Sequence, residues 1–227
     1  MRYFTRGELA LWGGSVAMIV IAYVVYGDGG VWELAASLIG VTSLIFCAKG
    51  NPIGQALMVV FSLIYGGISW TFSYYGEMIT YLGMTLPMAV LSLIAWLRHP
   101  YRGDRSQVAV GSMTARGWLY AVILTVIVTG LFYGVLAALG TTHLLPSTLS
   151  VATSFIAVYL TYRRSPCYAL AYAANDLVLM LLWALASRTD ERYLSVVICF
   201  VAFLINDVYG YISWQRMARR QSAEDAL

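Results

Sequence analysis

Eight apolar runs of bilayer-crossing length dominate this chain, at approximately 9–26, 31–48, 53–74, 77–97, 117–139, 144–162, 166–186 and 193–214. A helix needs about 20 such residues to cross the hydrocarbon layer, so eight spans consume most of the 227 residues and leave short connections. Composition agrees: 60% of residues are hydrophobic and 11% charged, too few charges to coat a soluble domain of this size. The expected fold is an all-α polytopic membrane protein of about eight transmembrane helices, with no separate extramembrane domain. Turn punctuation supports the boundaries, in Gly27-Asp28-Gly29-Gly30, Lys49-Gly50-Asn51-Pro52, Tyr75-Gly76-Glu77 and Arg163-Arg164-Ser165-Pro166. Only the 98–116 connection is longer than a tight turn. Arg2 and Arg6 ahead of the first run imitate a signal peptide, but the residues after Tyr26 offer no small-x-small cleavage site, so 9–26 reads as a retained span.

Basic residues orient the spans. With alternate connections assigned to alternate sides, 12 of the 14 Lys and Arg fall on the side that holds both termini; Arg188 and Arg192 fall on the other. Positive charge marks the cytoplasmic side, so both termini are expected there, in a bacterial cell (inner) membrane. An even number of spans follows independently. The net charge of +3 therefore reads as topology and not as a nucleic-acid footprint.

The chain also resembles itself. Thr42-Ser43-Leu44-Ile45, a turn ending at Asn51-Pro52 and a last span closing on Trp96 match Thr153-Ser154-Phe155-Ile156, Ser165-Pro166 and Trp214. The expected organisation is an extra N-terminal helix (9–26), a first three-helix repeat (31–97), a linker helix (117–139), a second repeat (144–214) and a basic tail (215–227). One crossing helix makes the two repeats parallel, an arrangement suited to alternating access around a mid-membrane ligand.

Intramembrane polar groups mark where that ligand sits, because an amide or carboxylate in hydrocarbon costs a few kcal/mol unless it faces a cavity or partner. They are Gln55, Asn175, Asp176, Asn206 and Asp207. At about 100° per residue, Tyr168, Tyr172, Asn175, Asp176 and Trp183 share one helix face. An aromatic face carrying an amide and a carboxylate suits a flat, polar or cationic ring. Tyr209 and, from the first repeat, Tyr65 complete the candidate substrate-binding set. Plainer readings stand beside this one: Trp96, Trp183 and Trp214 as interfacial anchors, Asn175 and Asn206 as interhelical hydrogen-bond glue, and Asp207 as partner to a cytoplasmic Arg. Pro87, inside the fourth span, removes a backbone hydrogen bond and is a candidate hinge.

Three stretches, Lys49-Gly50-Asn51-x-x-Gly54-Gln55, Tyr74 to Met84 and Asn206-Asp207-x-Tyr209-Gly210-Tyr211-x-x-Trp214, resemble the Pnu-type vitamin transporters, the family of the PnuC nicotinamide riboside transporters. The resemblance runs from about residue 31 to residue 218. It implies a SWEET-like arrangement of three plus one plus three helices. It also implies facilitated uptake of nicotinamide riboside or a related ribosylated vitamin, drawn inward by a cytoplasmic kinase that phosphorylates the substrate. The family's Trp-x-x-Trp-x-x-x-Asn motif is incomplete here: with Asn at Asn175, Tyr168 replaces the first Trp and Ala171 the second; shifted by one, Ala169, Tyr172 and Asp176 take the three places. Thiamine or a (deoxy)nucleoside therefore stays open as the alternative substrate.

Other chemistry finds little support. Cys47, Cys167 and Cys199 lack metal-ligand spacing, and no cofactor or metal is expected. An Asp176/Asp207 aspartyl protease lacks Gly-x-Gly-Asp, His99 and His143 lie in connections, and no Walker A sequence occurs. The expected partners are the substrate and the lipid bilayer, with no nucleic acid; a homo-oligomer is left open.

Overall fold

The computed structural model describes residues 3–26, 30–71, 75–141 and 143–226. Arg2, the Gly27-Asp28-Gly29 part of the first turn and Tyr74 of the second motif lie outside them. Among the described residues, eight helical segments are long and apolar enough to cross a membrane. They comprise α1 (Arg6–Tyr26), α2 (Val31–Ala48), α3 (Pro52–Thr71), a fourth span built from α4 (Tyr75–Thr80) and α5 (Leu86–Arg98), α6 (Ala115–Ala138), α7 (Leu144–Tyr162), α8 (Tyr168–Ala186) and α9 (Tyr193–Asp225). A short antiparallel pair, β1 (Pro100–Tyr101) and β2 (Asp104–Val108), occupies the long connection.

Local chemistry explains the helix ends. Thr5 and Glu8 form a reciprocal capping box on α1, with Glu8 N–H donating to Thr5 Oγ1 (3.2 Å) and Thr5 N–H to Glu8 Oε2 (2.7 Å). Thr114 caps α6 by accepting from Gly117 N–H at 3.1 Å. The turns after α2 and α7 are built alike. Gly50 and Arg164 both take left-handed backbone conformations, at φ 69° and 56°. In each turn the next amide reaches back five residues, Asn51 to Phe46 O (3.0 Å) and Ser165 to Leu160 O (2.9 Å).

The fourth span changes pitch between its halves. Tyr81–Thr85 is a π-helical turn, and the Leu86 amide bonds Tyr81 O. Pro87 is the cause: it has no N–H for the carbonyl four residues back, and its ring clashes there, so the preceding turn widens.

The long connection works as a strap across the termini-bearing face. Val108 N–H donates to Gly50 O and Gly111 N–H to Arg164 O, each at 2.9 Å, so adjoining strap amides cap the turns after α2 and α7. A Cβ on Gly111 would lie 2.3 Å from Arg163 O, so only glycine allows that approach. Gln221 grips the same strap, accepting from Val110 N–H (2.8 Å) and donating to Val108 O (3.0 Å). The segment expected as a tail from residue 215 is thus a continuation of α9, a 33-residue helix whose polar extension packs on the strap.

Beneath the strap, a core cluster gathers Trp96, Trp214, Tyr168, Leu160 and Met217. Trp96 and Trp214, weighed above as interfacial anchors, are both fully buried. Their indole N–H groups cross between the ends of the helices that precede the two matching turns. Trp96 donates to Thr161 O (3.0 Å) and Trp214 to Cys47 O (2.8 Å). The rings meet at 5.3 Å and seal this side of the molecule.

Candidate functional site

A cavity of about 520 Å³ runs from the opposite face to mid-depth. Its mouth carries Thr141, His143 and Thr189, in the α6–α7 and α8–α9 connections, and its inner end carries Tyr172, Asp176 and Asp207. The Trp96–Trp214–Tyr168 cluster lies below, toward the termini.

The polar wall comes from α7, α8 and α9. Asn175 Oδ1 accepts from Ser154 Oγ (3.0 Å) and lies 2.8 Å from Thr153 Oγ1, whose single proton is shared with the carbonyls of Leu149 and Ser150; the NH₂ group faces no described hydrogen-bond partner. Asp176 and Asp207 both line the inner end of the cavity, near enough to interact electrostatically, and Asp176 Oδ2 is buried without a hydrogen-bond partner. Two neighbouring carboxyls at this depth require neutralisation by a proton or a cation. Among the described residues that line the cavity there is no Lys or Arg. Asp207 therefore has an acidic neighbour in place of the cytoplasmic Arg weighed above. The aromatic wall stands opposite: Phe61 of α3 and Tyr81 of the π-turn line the cavity with their rings 5.8 Å apart. Trp183 and Tyr193 pair near the mouth at 5.2 Å.

Of the nine nominated residues, Tyr172, Asn175, Asp176 and Asp207 line this cavity. Tyr65 stands behind its wall, 4.4 Å from the Tyr81 ring. The other four are engaged elsewhere. Tyr168 is buried in the seal beside Trp214. Gln55 donates to Cys47 Sγ at 3.2 Å. Asn206 turns toward α1, donating to Ser15 Oγ and Ala202 O at 2.8 Å each. Tyr209 Oη donates to Glu8 Oε1 at 2.9 Å. Residue-by-residue reasoning missed Tyr81, Phe61 and the serines of α7. Ser147, Ser150 and Ser154 recur at helical spacing and all line the cavity, a polar stripe that was readable in advance.

The family model described as nicotinamide mononucleotide transporter matches residues 30–216. The chain belongs to that family. Two relatives are each named nicotinamide riboside transporter PnuC. One, from Neisseria mucosa, is 28% identical over 194 residues, 83% of this chain and 73% of the relative. The other, from Haemophilus influenzae, is 26% identical over 205 residues, 88% of this chain and 85% of the relative. A solved structure, the crystal structure of the vitamin B3 transporter PnuC, superposes with a TM-score of 0.81 at 24% identity, covering 96% of this chain and 94% of that one. The nicotinamide mononucleotide transporter family match begins after α1. The structural match is too complete to omit α1's 21 residues, so this helix is part of the shared fold.

Proposed function

We propose that the chain is a membrane transporter for nicotinamide riboside. The observation that carries this reading is the cavity's chemistry: an aromatic wall faces a held amide and a carboxyl pair, with no Lys or Arg among the described lining residues. A flat cationic ring stacks on the first and is neutralised by the second. The ligands in the names of the family and of its relatives differ by one phosphate, and an acidic cavity with no Lys or Arg among its described lining residues favours the riboside over the mononucleotide. Thiamine, another flat cation, is the second reading, since the family's Trp-x-x-Trp-x-x-x-Asn motif is incomplete here.

The matching turns after α2 and α7 and the crossed Trp bonds support two parallel three-helix repeats, 31–97 and 144–214, linked by α6 and preceded by α1. Movement of one repeat against the other would expose the cavity alternately. The excess of basic residues supports a cytoplasmic termini-bearing face in a bacterial inner membrane. The cavity then opens outward, and uptake proceeds by facilitated diffusion with trapping by a cytoplasmic kinase. The site assigned to the substrate is Tyr172, Asn175, Asp176 and Asp207, backed by Phe61 and Tyr81. Calorimetric titration with nicotinamide riboside, its mononucleotide and thiamine tests it. Saturable binding of the riboside with none of the mononucleotide is expected; preference for the mononucleotide overturns the reading.

A further inference from the structure

A second, smaller hollow of about 220 Å³ opens on the termini-bearing face, between the end of α2 and the polar extension of α9. Lys49, Arg216, Arg220, Ser213 and Gln107 line it. Two of these cations are already engaged: Lys49 Nζ lies 3.0 Å from Glu8 Oε1, and Arg220 lies 3.8 Å from Glu224 while also bonding Gln107. Arg216 makes no hydrogen bond or ion pair to any described residue. It sits one helical turn before Arg220, an arrangement that repels unless an anion lies between the two guanidinium groups.

The hollow's place matters as much as its charge. Its walls are the seam that seals this side. Ser213 Oγ donates to Ala48 O at 2.7 Å, and the neighbouring Trp214 donates to Cys47 O. An anion here joins the α2 end to α9 directly across those bonds. Arg216 brings a guanidinium fork with no hydrogen bond or ion pair to a described residue beside Arg220, Lys49 and the Gln107 amide. This basic lining matches a phosphate, whose several oxygens can take more than one donor at once.

We propose that this hollow is a phosphate-binding site, taking the phosphate of a soluble monoester or of a lipid headgroup, and that its occupancy clamps the termini-bearing side shut. Under the functional reading above, that side faces the compartment where the transported nucleoside becomes phosphorylated, so the clamp makes uptake answer to phosphorylated metabolites. The site itself does not rest on the identity of the transported molecule.

The test uses the full chain in an uncharged detergent, with thermal unfolding and intrinsic Trp fluorescence as readouts. Inorganic phosphate and ribose 5-phosphate are titrated at constant ionic strength against ribose and chloride. Parallel samples are reconstituted in phosphatidylglycerol or in phosphatidylcholine. A saturable rise in unfolding temperature with either phosphate assigns a soluble ligand, and a rise confined to phosphatidylglycerol assigns the headgroup. In both cases Arg216→Gln weakens the response about tenfold, the loss of one charge-assisted contact. Its unfolding temperature without phosphate changes little, because Arg216 makes no hydrogen bond or ion pair to any described residue. Arg216→Glu abolishes the response. The proposal is overturned if no phosphate source gives a saturable response, or if Arg216→Gln responds as the parent does. Nicotinamide riboside is absent throughout, so failure here leaves the transport reading standing, and failure of that reading leaves this one.

Discussion

Asn175 owes its usefulness to two hydroxyls. Thr153 and Ser154 lie at its carbonyl oxygen, so in the proposed site its NH₂ group would meet a ligand already oriented. Asn175→Ala is therefore expected to weaken nicotinamide riboside binding about tenfold or more in calorimetry, with little change in unfolding temperature; unchanged affinity removes Asn175 from the site. Asp207 behaves differently because its neighbour is another acid. Asp207→Asn relieves that contact, so unfolding temperature should rise while affinity for a cationic ligand falls. A variant that loses stability contradicts the uncompensated pair. Both side chains stood out in the sequence because polar groups within spans are rare. Their directions were less legible. Asn206 looks equivalent to Asn175 on paper, yet its partner is Ser15, 191 residues away on α1, and no local spacing announces that contact.

At the scale of elements, the π-turn places Tyr81 and Thr85 on the cavity wall immediately before Pro87. Substituting Pro87 by Ala restores a donor and permits regular α-helix, which should raise thermal stability and slow riboside uptake into proteoliposomes. Faster or unaltered uptake would remove the hinge from the mechanism. The paired turns after α2 and α7 were legible as Asn51-Pro52 and Ser165-Pro166. What they do was not, because the strap that caps them lies in the one connection with no apolar period. Trp96 and Trp214 show the same limit: an indole near a span's end reads as an interfacial anchor until the facing carbonyl is known. Trp214→Phe keeps an aromatic ring but loses the bond to Cys47 O and leaves a void in a fully buried site, at a cost of about 3 kcal/mol. The same change should increase fluorescence quenching by solutes reaching from the termini side.

Across the whole molecule, α1 is the element whose importance its own sequence concealed. It lies outside the family match, but Glu8 holds Lys49 at 3.0 Å and receives the Tyr209 hydroxyl, tying α1 to α2 and α9. The Glu8 side chain is 5% exposed and Lys49 21%, so Glu8→Ala leaves a poorly hydrated ammonium and should cost on the order of 3 kcal/mol. Lys49→Met in the same background should recover part of that loss; thermal unfolding of the four variants measures the coupling. Hydropathy and charge made the eight spans and their alternation legible, since lipid imposes both on any chain that crosses it. The packing order was not, because lipid-facing and helix-facing apolar residues look alike.

The strap has a consequence for biogenesis. It emerges from the ribosome between the two sets of helices, long before Arg164 and Gln221, the groups that fasten it, have been synthesised. Until α9 is made, the strap lacks Gln221, Ala48 O lacks the Ser213 hydroxyl and Cys47 O lacks Trp214. Nascent chains stalled before residue 214 should therefore remain open to membrane proteases on this side, whereas chains that carry all of α9 close. Closure of this side thus waits on α9, the helix that brings Ser213, Trp214 and Gln221 to the seam.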